Sequence, residues 1–148
     1  MNKSAVPQKA AALDADFSIF HDDVRTPSTA PASRTEKGVA PVNPTLRLLT
    51  VTATVTNTGK VAGDEVVQLY VRSPEGSGDR RRHHLEGFTR VSLKPGESKR
   101  VRFELTAAQV AQFGKDGRQT LAKGLYRIFV GGGQPGYCDN TRCMLVEL

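Results

Sequence analysis

Strict alternation of apolar and polar side chains over residues 49–56 constrains this chain more than any other feature. Leu49, Val51, Ala53 and Val55 alternate with Thr50, Thr52, Thr54 and Thr56. Successive side chains of a strand point to opposite faces, so the run reads as a strand with one buried and one wet face. The pattern returns at 65–72, where Val67, Leu69 and Val71 share one side and Val66, Gln68 and Tyr70 the other. It returns again at 98–105, with Val101, Phe103 and Leu105 inward and Arg100, Arg102 and Glu104 outward. Strands with one apolar face bury it by stacking two antiparallel sheets.

Turn residues separate these runs. Asn57, Gly59 and Gly63 break the chain after the first strand, and Pro95 and Gly96 occupy the two central positions of a turn in Leu-Lys-Pro-Gly-Glu. Residues 85–91, 119–121, 124–130 and 142–147 read as further strands, and 106–113 as one or two helical turns behind a Thr106 cap. That makes about seven strands in residues 46–148, an all-β antiparallel sandwich with Greek-key spacing. Tyr126 sits early in the penultimate strand. Two roles fit it: a corner tyrosine with a buried ring and a backbone-bonded hydroxyl, or a half-buried strand tyrosine.

Residues 1–45 are different in kind. They hold five of the eight prolines (Pro7, Pro27, Pro31, Pro41, Pro44) and few bulky apolar residues. Such a segment buries too little surface to offset its ordering entropy, so a flexible Pro/Ala/Thr-rich tail is expected. One island, Phe17, Ile19 and Phe20, suggests an edge strand near 17–20. No apolar run approaches the roughly 18 residues of a membrane helix, and the first residues lack the apolar centre of a signal peptide. The compartment is left open.

The net charge of +6 is concentrated: residues 79–102 hold eight Lys/Arg against three acids. Arg80, Arg81, Arg82, His83 and His84 form a basic loop that suits an anionic polymer, a carbohydrate or a neighbouring domain. No aromatic residues interleave it, which argues against nucleic-acid stacking. Adjacent His83 and His84 amid cations read as surface residues rather than metal ligands, and no pattern asks for a cofactor. Asp64 and Glu65, as strand neighbours, should point apart, and Glu86 and Glu97 should face water, so no carboxylate pair is expected. Cys138 and Cys143 can close a small loop worth roughly 2 kcal/mol, or remain thiols.

Three blocks, VTNTGKVAGDEVVQLYV, LEGFTRVSLKPGESKRVRFEL and KGLYRIFVGG, together resemble the fibronectin type III-like module at the C-terminal end of family 3 glycoside hydrolases, which include β-glucosidases and β-xylosidases. The resemblance covers residues 48–133 and implies an immunoglobulin-like sandwich. It also implies structural roles for the motif residues. Asn57, Gly59 and Gly63 would shape the first turn, and Gln68 and Tyr70 the second face of their strand. Leu85, Phe88, Val91 and Leu93 would be apolar anchors around a flexible Gly87. Pro95 and Gly96 would make a turn, and Tyr126 would lie in the core. In that family an aspartate nucleophile and an acid/base glutamate lie in preceding domains, which residues 1–45 are too short to encode. The resemblance therefore implies a non-catalytic accessory module, a fragment or separated piece, with hydrolase domains as partners. The alternative is a binding module for anionic polymers or carbohydrate through residues 80–84. The arginine and histidine run replaces the family's proline-containing approach to Leu85.

Overall fold

The computed structural model describes the backbone of residues 18–20 and all of 43–79, 83–113, 117–137 and 141–148. The expected tail (1–17 and 21–42), Arg80–Arg82 and Cys138 lie outside the described residues. The elements in chain order are β1 (Ser18–Phe20), β2 (Arg47–Thr56), β3 (Gly63–Arg72), β4 (His84–Leu93) and β5 (Ser98–Thr106). They continue with α1 (Ala107–Val110), β6 (Gln112–Phe113), β7 (Gln119–Thr120), β8 (Leu125–Gly131) and β9 (Arg142–Glu147).

Seven of these strands form two antiparallel sheets, ordered β1-β2-β5 and β4-β3-β8-β9. The remaining two, β6 and β7, make a two-residue ladder where the sequence suggested a helix end and a lead-in. The predicted alternation explains the core. Val51 is registered with Phe103, and Ala53 with Val101, so the inward faces of β2 and β5 coincide. They meet Val67, Leu69 and Val71 of β3 and Tyr126, Ile128 and Val130 of β8, all buried in one cluster. Each fully covered Leu, Ile or Val contributes about 1.5–3 kcal/mol relative to an exposed one. Thr50 departs from its expected wet face: it is buried, at the position registered with Phe20 of β1.

β4 departs further. Leu69 is registered with Gly87 but Tyr70 with Leu85, so Glu86 is an extra residue in the ladder. Such a bulge lets two successive residues turn toward the same side. Leu85 and Phe88 would lie on opposite faces of a regular strand. Across the bulge both lie on the outer face, opposite Tyr70 and Gln68, and both are exposed. They are therefore not core anchors. Of the four expected around Gly87, Leu93 is buried and Val91 partly so.

Candidate functional site

Asn57 is the best-connected of the motif residues. It is buried at the end of β2, and its Nδ2 donates to Val61 O (2.9 Å) and Leu93 O (3.1 Å). Its Oδ1 accepts from Gly59 N (2.9 Å). Its main chain adds Asn57 N to Glu97 O and Gly96 N to Asn57 O. One amide thus fastens the β2–β3 connection to the β4–β5 turn, which is why a short polar residue stands where a sheet would otherwise be apolar. The turn is as expected: Glu97 N donates to Lys94 O, and Gly96 supplies the positive φ of 74° that a side chain resists. Glu97 Oε2 accepts from Lys94 N at 2.7 Å, and this bond holds the Glu97 carboxyl below the usual glutamate value. Gly63 opens β3 with open space around it.

Tyr126 is a corner tyrosine. Its ring is fully buried, and its hydroxyl donates to Ala122 O at 2.9 Å. Burial pushes its pKa up, against the opposing effect of that hydrogen bond. Gln68 and Tyr70 do share a face, but they satisfy one another: Tyr70 OH donates to Gln68 Oε1 at 2.7 Å. Gly87 is not a flexible point. A Cβ placed on it would come within 2.9 Å of Phe103 Cδ1, so glycine is there to admit the ring.

The histidines of the basic loop part company. His83 packs edge-on against Phe129, ring centroids 4.9 Å apart. His84 is not a surface residue: its side chain is 8% exposed, on the inner side at the start of β4. Its Nδ1 meets Glu86 Oε1 at 2.5 Å, and its Nε2 lies 3.9 Å from Asp79 Oδ2, too far for a hydrogen bond. The bulge is what brings Glu86 to this side, so Glu86 does not face water as the sequence suggested. Ser73 Oγ donates to Asp79 Oδ2 at 2.8 Å.

A serine, a histidine and two acids thus come together, but in the wrong order for nucleophilic chemistry. A nucleophilic serine must face the imidazole that takes its proton. Here Ser73 faces Asp79, and Glu86 occupies His84 Nδ1. The arrangement ties the β3–β4 connection to β4. Beside it runs a shallow groove of about 520 Å³, lined in part by Asp79, Glu86, Gln109, Gln112 and Phe113. Gln109 closes the first turn of α1 by accepting from Thr106 N, and its Nε2 donates to Glu86 O. This cluster leaves no local sequence pattern, because it depends on the one inserted residue.

Other described acids are also engaged, among them Asp64, Glu75 and Glu104. Asp64 accepts from Ser92 Oγ and pairs with Arg90, whereas Glu65 beside it is buried, so the two do point apart. Glu75 pairs with Arg72 and Arg127, and Glu104 with Arg47 and Arg102. Cys143 is an exposed free thiol on β9, its pKa raised by partial burial. Among the described residues no group of three or more His, Cys, Asp or Glu is placed to hold a metal ion. No helix among them is long and apolar enough to cross a membrane.

Comparison with known proteins agrees with this architecture. The fibronectin type III-like domain family matches residues 65–134, from β3 to the loop after β8. The sandwich has the fibronectin type III-like fold, and residues 65–134 carry the match to that family. It is 46% identical over 82 residues to a β-xylosidase of Formosa agariphila, a match covering 55% of this chain and 11% of that protein. It is 42% identical over 95 residues to a "probable beta-glucosidase I" of Aspergillus oryzae, covering 63% of this chain and 11% of the other. Among solved structures it superposes on the family 3 β-glucosidase of Bifidobacterium adolescentis with a TM-score of 0.68 and 27% identity, covering 93% of this chain and 17% of that one. The module resembles the one that family 3 glycoside hydrolases carry, and its matches span about a tenth of the length of the curated relatives.

Proposed function

We propose that this domain is a non-catalytic accessory module that packs on the hydrolase domains of a family 3 glycoside hydrolase. It contributes stability and position rather than chemistry. The observation that carries this reading is the size of the match: the 82 and 95 matching residues correspond to about a tenth of each relative, leaving the bulk of those enzymes to other domains. The side-chain bonding supports it. Asp64, Glu75, Glu86, Glu97 and Glu104 each hold a hydrogen bond or ion pair within the module. A retaining glycosidase needs two carboxyl groups about 5–5.5 Å apart across a sugar-shaped pocket. Asp79 and Glu86, the two that converge here, both approach His84 instead.

The test is direct. The purified chain is expected to release no chromophore from aryl β-glucosides or β-xylosides above a buffer blank. Turnover that disappears in Asp79→Asn or Glu86→Gln would show that the module has chemistry of its own.

A further inference from the structure

We infer that the outer face of the β4-β3-β8-β9 sheet is the surface by which this module docks on its neighbouring hydrolase domain. The inference rests on the accessory-module reading above and names the contact it requires. The register lines up Leu85, Tyr70 and Phe129 across three adjacent strands, all on the side turned away from the core. Phe88 lies beside this row on β4, 70% exposed, and Leu145 beside it on β9, 57% exposed. Leu85 is itself 47% exposed, and His83 extends the row by resting edge-on against Phe129. The result is an apolar belt running across the sheet. A polar outer face is what the alternation of a one-sided sheet normally supplies. A contiguous apolar patch in its place marks an interaction site.

The occupant is a folded protein surface with an apolar centre and carboxylates around it. Its apolar part is set by the belt, whose aromatic and leucine content is that of an interface core. Its charge is set by the rim of the belt, where Arg72 and Arg127 share the single carboxylate of Glu75 and Arg90 pairs with Asp64, which leaves positive charge in excess. The source is set by the relatives, in which a segment like this one is 11–17% of a longer chain, so the module has large domains beside it. A polysaccharide is less well matched, because the belt offers few hydroxyl-bonding groups: Tyr70 and Gln68 already bond to each other.

The test uses the full 148-residue chain added to the Formosa agariphila β-xylosidase from which the matching segment has been deleted, with binding followed by calorimetry. Phe88→Ser and Leu85→Ser are expected to weaken binding about tenfold or more each, as central interface residues do. Phe113→Ser, equally exposed at 72% but on β6, should leave it unchanged. Circular dichroism checks that each variant keeps the parent's thermal midpoint, as exposed positions allow. Binding that survives both belt substitutions overturns the docking face while leaving the accessory-module reading intact. No binding by the parent chain overturns both. Concentration-dependent dimers of the chain alone, lost in Phe88→Ser, would assign the belt to a second copy and overturn the inference.

Discussion

Tyr126 shows how much a single residue sets in this module. Its ring fills the space between the sheets, and its hydroxyl closes the connection leading into β8 by bonding Ala122 O. Removing the hydroxyl in Tyr126→Phe keeps the ring and leaves one carbonyl without its donor. That should cost about 1 kcal/mol in urea unfolding. The pH dependence separates this effect from a packing change. Burial raises the Tyr126 pKa in the folded state, so above the ordinary tyrosine value near 10 the unfolded chain loses this proton first. The unfolded state then binds fewer protons, and stability falls with rising pH. The contribution is complete below about pH 10 and is lost as pH climbs through the raised value. Tyr126→Phe should flatten that decline relative to the parent. Equal slopes for the two proteins would mean that the hydroxyl is solvated.

At the scale of elements, β4 is where glycine and bulge act together. Gly87 faces the Phe103 ring at a distance that excludes a methyl group. Gly87→Ala should therefore cost about 1–3 kcal/mol through overpacking, and Phe103→Leu in the same chain should recover part of it. A double-mutant cycle measures that coupling, and additive costs would mean that the ring moves aside freely. The same strand shows why part of the molecule was legible in the sequence and part was not. β3 and β5 alternate from Glu65 and from Val101 onward, and β2 from Val51 onward, so their inward residues there follow from period alone. The apolar spacing in Leu85-Glu-Gly-Phe88 also looks like core, but a period-two reading fails once a residue is inserted. The insertion at Glu86 sends Leu85 and Phe88 outward and Glu86 inward to His84. Nothing local in the sequence marks the bulge, because it is fixed by register against β3. The basic loop was misread at His84 for the same reason. The β6–β7 ladder is two residues long on each side, too short to show a period at all.

For the whole molecule, stability and interaction fall on opposite faces of one sheet. β3 is bonded on both sides, by β4 and β8, and its inward residues lie at the centre of the core. Leu69 is fully buried there, registered with Gly87 on one side and Val130 on the other. Leu69→Ala should cost about 2–5 kcal/mol, from lost transfer energy and the cavity left behind. Against a total of about 5–15 kcal/mol for a typical domain, that is a large share. Leu145 on β9 belongs to the same sheet and differs in facing outward. Leu145→Ala in the isolated chain should stay within about 0.5 kcal/mol of the parent. Denaturant titration reads both: the midpoint should drop for Leu69→Ala with the slope unchanged, and hardly move for Leu145→Ala. A cost at Leu145 comparable to that at Leu69 would mean that the outer face is already covered within this chain, and the belt would then be part of its own core rather than a surface for a partner.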